Sequence, residues 1–326
     1  MIEARQLVRR PITWFDQHLL APGSAHRLAC VRVALALVMI LRLAGHHWWD
    51  MAGRPPALYQ PVPITSWLST VPSAGVLIAL QVVGVLGALL VVAGRAPLAG
   101  LRVAWLALLA LGALHSSAGK IMHNEVLLLL ATVPVLVSGS DARVGDRRTA
   151  LRWGWGPRAS MAVVGVVYCL TGAQKLLHSG LEWVFSENMR WVLYGGAASG
   201  RSLAPGLTEL IAGSAWLPPL MAGGALLLEL SAPLLIAWRR TRPWFALAVC
   251  GMHASIGIAL GLDYSGWALT SVAVLMPWDR WGTRRRSPKK STITNSPSPT
   301  SGATDPFNVV VTEPRNPGGS STSPGL

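Results

Sequence analysis

The sequence predicts an all-α protein: a polytopic transmembrane helical bundle of about eight spans, followed by a disordered C-terminal tail. Of its 326 residues, 52% are hydrophobic and only 13% are charged. Soluble domains carry about a quarter charged residues, so this chain has too few charges to cover a water-exposed surface. The apolar residues also fall in blocks long enough to cross the hydrocarbon core of a bilayer. These two observations predict an integral membrane protein.

The apolar blocks divide the chain into three predicted parts. A basic interfacial segment occupies 1–25, a transmembrane helical domain occupies 26–282, and a disordered cytoplasmic tail occupies 283–326. Within the domain we predict spans over 28–44, 74–93, 97–114, 121–137, 158–177, 217–238, 244–262 and 266–278. The tail is rich in Ser, Thr, Pro, Asn and Gly, which is typical of segments with too little apolar surface to fold.

The net charge of +14 comes from short basic clusters between the apolar blocks. These clusters lie at the N-terminus and over 95–102, 143–152, 239–242 and 280–290. Strict alternation of eight spans places all of them on one side, and the positive-inside rule assigns that side to the cytoplasm. We therefore expect a multi-pass protein of the cell membrane with both termini cytoplasmic. The partners of these cations are membrane lipids, and we expect no nucleic-acid partner.

Several ionisable side chains lie within the predicted spans, where each costs roughly 2.5 kcal/mol or more at the bilayer centre. Those that stand out are His123 in span 4, Lys175 in span 5, Glu229 in span 6 and His253 in span 7, and other charged residues also fall within the span bounds. Alternation of the spans places His123 and Lys175 in the outer third of the bundle. Glu229 and His253 lie nearer mid-membrane on consecutive helices, and we predict that they form a polar pair because either alone would be more costly.

Lys175 ends a polar stripe on one face of span 5, because residues three, four and seven positions before it share its helix face. We predict that Lys175 and His123 line one cavity that opens toward the outer leaflet. The expected lining around them is Tyr168, Thr171, Gly172, Lys120 and Asn124. Gly172 would leave room for a flat ring, and Tyr168 would supply a polar wall.

Simpler interpretations of these residues remain open. Lys175 could extend its ammonium group to the outer head groups without any chemical role. His123 could be an interfacial histidine that is hydrated by water. Glu229 and His253 could form a hydrogen-bonded clasp that only holds two helices together.

Four segments of the chain resemble a known family. The segment YCLTGAQKL (168–176), followed by Trp183, resembles the Y-x-x-x-G-x-x-K-L…W signature of the HTTM domain. That membrane domain is shared by vitamin K-dependent gamma-carboxylase and many bacterial proteins. In the same order as in the family, HNEVLLLL, GGALLLELSAPLLIA and CGMHASIGIALG (123–130, 223–237 and 250–261) resemble its other helices. The likeness extends over about residues 10–280.

The resemblance implies that Lys175 is a catalytic base that acts on reduced vitamin K, or on another menaquinol-type quinol, with His123 in support. It adds Trp183 to the cavity lining, and we expect no metal. A low-dielectric site favours the neutral amine, so a lysine there can accept a proton. The segment GLDYSGW (261–267) lacks the phenylalanine-rich stretch of the carboxylase, and we therefore do not expect peptide carboxylation.

Three functional hypotheses follow. The leading one is a lyase or oxidoreductase that acts on a quinol or another lipid-soluble small molecule in an outward-facing cavity. The alternative is a non-enzymatic, DoxX-like membrane module that binds lipid or a membrane protein partner. The third is a transporter, although the sequence lacks the internal repeat and paired broken helices that are typical of transporters.

Overall fold

The computed structural model describes residues 21–117 and 123–280, which form a helical bundle with one short β-ribbon. The predicted tail, Lys120 and all but five residues of the predicted N-terminal segment lie outside the described residues. The α-helices are α1 Ala25–Ala44, α2 Ala74–Val92, α3 Pro97–Ser116, α4 Val126–Leu136, α5 Leu151–Ser179, α6 Glu182–Phe185, α7 Asn188–Ala198, α8 Pro205–Gly213, α9 Leu217–Ala237, α10 Arg242–Leu260 and α11 Ser265–Leu275. The ribbon pairs β1 (Gly23–Ser24) with β2 (Thr149–Ala150) in antiparallel register.

Six of the described helices are long and apolar enough to cross a membrane, namely α1, α2, α3, α5, α9 and α10. They correspond to predicted spans 1, 2, 3, 5, 6 and 7. The helices at predicted spans 4 and 8, α4 and α11, have only 11 residues each. Eleven residues of α-helix are about 16 Å long, and the hydrocarbon core is about 30 Å thick. The expectation of eight spans is therefore not confirmed: six helices are long enough to cross the membrane, and the other two are too short.

Polar contacts explain why α4 begins later than predicted. Glu125 precedes the helix and binds Arg42 of α1, with 2.6 Å between its Oε1 and the arginine Nη2. Asn124 Nδ2 donates to the carbonyl of Asp263 at 2.8 Å. These residues make side-chain contacts across the bundle where the sequence pattern predicts a first helical turn. At the other short helix, Pro277 limits Met276 to extended backbone, so α11 ends at Leu275.

Glycines allow two pairs of long helices to approach closely. A Cβ atom on Gly100 of α3 would lie 2.4 Å from the carbonyl oxygen of Gly87 on α2. On α5, a Cβ atom at Gly172 would lie 3.0 Å from Glu229 Cβ of α9. Small residues at such contacts bring helix backbones together in membranes, where packing drives association. The α5–α9 contact places Lys175, one turn after Gly172, beside Glu229.

Large apolar side chains cover the outside of the long helices. Leu170 on α5, Leu227 on α9 and Leu247 on α10 are 61%, 70% and 62% exposed. A soluble protein rarely exposes contiguous apolar surface of this extent, whereas a membrane protein presents it to lipid tails. The bundle is consistent with a multi-pass integral membrane protein.

Several basic segments meet at the end of the bundle where α1 begins. The backbone N–H of Ala25 donates to the carbonyl of Arg148 at 3.0 Å, beside the β1–β2 ribbon. Ser24 Oγ donates to Asp279 Oδ1 at 2.6 Å. We call this the basic end, and it comprises 21–27, 91–97, 139–152 and 278–280. Its assignment to the cytoplasm remains a prediction.

Candidate functional site

A cavity of about 570 Å³ lies among α5, α7, α9 and α10. Its volume is within the range of small-molecule sites. The cavity uses the C-terminal half of α5, the N-terminal half of α9 and the C-terminal half of α10, so it lies in the half of the bundle away from the basic end. The predicted residues on its wall are His123, Tyr168, Thr171, Lys175, Trp183, Glu229 and His253.

Lys175 forms an ion pair with Glu229 on the wall of this cavity. Its Nζ lies 2.7 Å from both carboxylate oxygens. The Glu229 side chain is 6% exposed and that of Lys175 is 21% exposed. The Lys175 Nζ also lies 5.0 Å from the ring centroid of Trp183, within cation–π range. The pair neutralises two charges that would each be costly alone in a membrane.

His253 forms a hydrogen bond with Tyr168 and not with Glu229. Its Nε2 lies 2.9 Å from the Tyr168 hydroxyl, which is also 3.4 Å from Ser271 Oγ. Both carboxylate oxygens of Glu229 bind Lys175. The predicted Glu229–His253 pair is therefore wrong, although both residues line the same cavity. The sequence predicts that Glu229 and His253 lie at similar depth, but the partner of each also depends on how its helix is rotated about its own axis. That rotation directs Glu229 to Lys175 and His253 to Tyr168.

His123 joins the cavity through Tyr264, which follows α10. Its Nε2 lies 2.7 Å from the Tyr264 hydroxyl. Burial raises the pKa of Tyr264, so the hydroxyl stays protonated and can donate a hydrogen bond to the imidazole. The Tyr264 ring stacks on His253 with 5.5 Å between centroids, and Trp267 Nε1 donates to the His123 carbonyl at 3.0 Å. These contacts form a continuous aromatic wall.

Two buried polar atoms on residues of the wall have no hydrogen-bond partner in the described part of the chain. They are Trp183 Nε1, a donor, and His253 Nδ1. Most buried polar groups in folded proteins are hydrogen-bonded. Most of the remaining wall is apolar and comes from residues such as Met189, Leu220 and Ile256. A ligand with a large apolar body and one or two polar groups complements this wall.

Two predicted lining residues lie elsewhere. Gly172 packs against Glu229 and Leu230, so it brings two helices together and leaves no space for a ring. Asn124 is half-buried and donates to the Asp263 carbonyl, away from the cavity wall. Lys120 lies outside the described residues.

The sequence predictions omit one part of the site and one ion pair outside the cavity. The predicted spans leave 178–216 without a helix, but this stretch contains α6, α7 and α8, and α7 supplies Met189, Val192 and Leu193 to the wall. The Arg42–Glu125 ion pair was also missed. The sequence does indicate this pair, because Arg42 and Glu125 carry opposite charges and both fall in predicted spans.

Comparison of the chain with protein-family models, with curated proteins and with solved structures gives no match. The cavity must therefore be interpreted from its own residues. Among the described residues, no group of three or more His, Cys, Asp or Glu side chains is arranged to hold a metal ion.

Proposed function

We propose that this membrane protein binds a lipid-soluble ring compound with an ionisable hydroxyl group, of the quinol type, and accepts its proton. The observation that carries the proposal is the Lys175–Glu229 pair on the wall of a 570 Å³ cavity that is otherwise mostly apolar. An apolar cavity between membrane helices suits a ligand dissolved in the bilayer. Reduced vitamin K is a compound of this class, and the resemblance to the HTTM domain points the same way.

The ion pair can accept a proton as a unit. Because Nζ lies 2.7 Å from each oxygen, its proton can pass to Glu229 and leave a neutral amine. The amine then takes the proton of the hydroxyl group, and the ammonium so formed stabilises the resulting oxyanion. Equivalently, Glu229 takes the proton directly while Lys175 stays charged. Both residues are needed in either route, because one accepts the proton and the other supports the charge that results.

The unpartnered polar atoms define how such a ligand would sit. Trp183 Nε1 can donate a hydrogen bond to a ligand oxygen. His253 Nδ1 can accept one from a hydroxyl group, because its Nε2 is held by Tyr168. Tyr168 in turn is fixed by packing against Phe245 and Trp267. A ring with oxygens at both ends fits this pattern of one donor and one acceptor.

The test uses a long-chain alkyl 1-naphthol, whose ionised form absorbs at longer wavelength than its neutral form. At neutral pH, purified protein should raise the ionised fraction of the bound naphthol. Lys175→Met and Glu229→Gln should both abolish this increase, and Glu209→Gln, on the exposed face of α8, should retain it. Unchanged ionisation in both cavity variants would refute the proposal.

Lys175→Arg separates the two routes. Arginine keeps the charge but does not give up its proton in proteins. Loss of ionisation in this variant assigns the base to the amine, as the sequence predicts. Full retention assigns the base to Glu229 and leaves Lys175 as the stabilising cation.

A second candidate function is non-enzymatic lipid binding, and one observation favours it. Both the bidentate contact with Glu229 and the ring of Trp183 stabilise the protonated amine. A lysine fixed in this form is an anchor for a polar head group. Under this alternative, the methyl ether of the same naphthol binds as tightly as the parent compound, and the naphthol is not ionised by the protein. Mass spectrometry of ligands that co-purify in detergent would identify the natural compound under either function.

A further inference from the structure

A second cavity, of about 400 Å³, lies at the basic end of the bundle. It is bordered by the first half of α1, the end of α2 and the segment that follows α4. Its wall carries the three arginines Arg32, Arg95 and Arg143 and one carboxylate, Asp141. None of these residues lines the cavity that contains Lys175.

Arg32 is a buried cation without a carboxylate partner in the described part of the chain. Its side chain is fully buried, and its Nη2 donates to the carbonyls of Ser138 and Gly139 at 3.1 and 2.7 Å. Its Nε and Nη1 have no hydrogen-bond partner among the described residues. A buried charge is costly unless it is paired, so this guanidinium favours an anion nearby.

The one carboxylate on the wall is already engaged. Asp141 Oδ2 accepts from Arg152 Nη2 at 2.7 Å, and its Oδ1 accepts from Trp153 Nε1 at 3.0 Å. Arg148 lies 3.9 Å from the same carboxylate. Asp141 therefore makes its direct ion pairs with arginines outside the cavity, and one carboxylate against three arginines leaves the wall with a net positive charge.

Apolar side chains at the same cavity indicate where its ligand comes from. Val92 and Val144 both line the cavity and are 41% and 61% exposed. Val92 is the last residue of α2, a helix that can cross the membrane, so the cavity lies at the level of the head groups on this side. A soluble phosphate would gain nothing from these valines, whereas acyl chains would pack against them.

We propose that this cavity binds the phosphate group of an anionic phospholipid, with Arg95 and Arg143 at its mouth and Arg32 at its base. Basic pockets at helix ends are suited to such head groups. The site would hold a structural lipid at the basic end. It does not depend on the function of the other cavity.

The experiment measures binding of phosphatidylglycerol to the full-length protein in neutral detergent by native mass spectrometry. Arg32 also donates to the carbonyls after α4, so it is left unchanged. The test variant removes the two exposed arginines instead: Arg95→Gln/Arg143→Gln. The control is Arg147→Gln/Arg240→Gln, which removes the same charge from exposed residues outside the cavity. Each lipid-facing arginine is worth about fivefold in affinity, so the test variant should bind about 30-fold more weakly. The control should stay within about twofold.

Two further comparisons distinguish the source of the phosphate. Phosphatidylcholine should bind much more weakly than phosphatidylglycerol, because its head group carries no net charge. A large molar excess of inorganic phosphate should displace little phosphatidylglycerol. Equal losses in the test and control variants, equal binding of the two lipids, or full displacement by inorganic phosphate would each overturn the proposal.

Discussion

Arg42 shows how one side chain can organise the end of the bundle that lies opposite the basic end. Its guanidinium binds Glu125 before α4, and it also binds Asp263 and donates to Ser265 Oγ at the start of α11. Three segments far apart in sequence are therefore joined by one cation. Removing a single partner of such a buried group is costly because the remaining charge loses its compensation.

The Asp263 carboxyl makes this cluster sensitive to acid. Burial opposes its ionisation, but hydrogen bonds from Ser265 and Arg42 outweigh that effect and lower the pKa of Asp263 to about 2. In an unfolded chain the pKa of an aspartate is about 3.9. The carboxyl therefore contributes stability above about pH 4, and this contribution is lost as the pH falls toward 2.

We predict that Asp263→Asn removes part of the acid dependence of folding. Between pH 5 and pH 2, the thermal midpoint of the native protein in detergent should fall more steeply than that of the variant. Asp50→Asn, in the exposed turn after α1, is the control and should retain the native slope. Parallel curves for native protein and Asp263→Asn would contradict the assignment.

At the scale of secondary-structure elements, the α2–α3 contact depends on the absence of side chains. Gly87 and Gly100 let the two backbones approach closely. We predict that Gly100→Ala lowers stability by about 1–3 kcal/mol, because the added methyl group would overlap a carbonyl oxygen that cannot move aside easily. The measurement is the loss of helical circular dichroism on heating in detergent.

Gly112→Ala is the matched control for Gly100→Ala, since Gly112 lies on the same helix and has open space around its Cα. Alanine favours helix over glycine by about 1 kcal/mol, so this variant should be as stable as the native protein or more stable. A destabilisation by Gly112→Ala equal to that of Gly100→Ala would show that helix packing is not the cause.

Hydropathy predicted the long helices well because their signal is local. Each of the six is a continuous apolar block, and each appears within a few residues of its predicted bounds except α5, which begins seven residues earlier. The length of α4 was overestimated because His123, Asn124 and Glu125 lie beside apolar residues but form tertiary contacts. The length of α11 was overestimated because Pro277 ends it. The position of Lys175 on the cavity could be predicted from helix spacing, whereas its pairing with Glu229 depended on how α5 packs against α9.

At the scale of the whole molecule, the crossing pattern can be tested by reporter fusions. The 29-residue helix α5, Leu151–Ser179, has Arg152 in its first turn and ends before Arg201. We predict that reporters fused after these two residues report opposite sides of the membrane, with Arg152 in the cytoplasm. A fusion after Asp146 should agree with the one after Arg152. The same compartment for the fusions after Arg152 and Arg201 would contradict α5 as a membrane crossing.

The contacts of α1 also set the order in which the bundle can be completed during synthesis. Ser24 binds Asp279, 255 residues later, and Arg32 binds carbonyls that follow it by 103 to 107 residues. At about 5–20 residues per second, a ribosome needs about 5–20 s to deliver the partners of Arg32 and about 13–50 s to deliver Asp279. Until then, the Arg32 guanidinium of the first helix lacks these carbonyl partners. We therefore expect nascent α1 to lie with Arg32 drawn toward the lipid head groups, and to reach its final depth only after α4 has entered the bilayer.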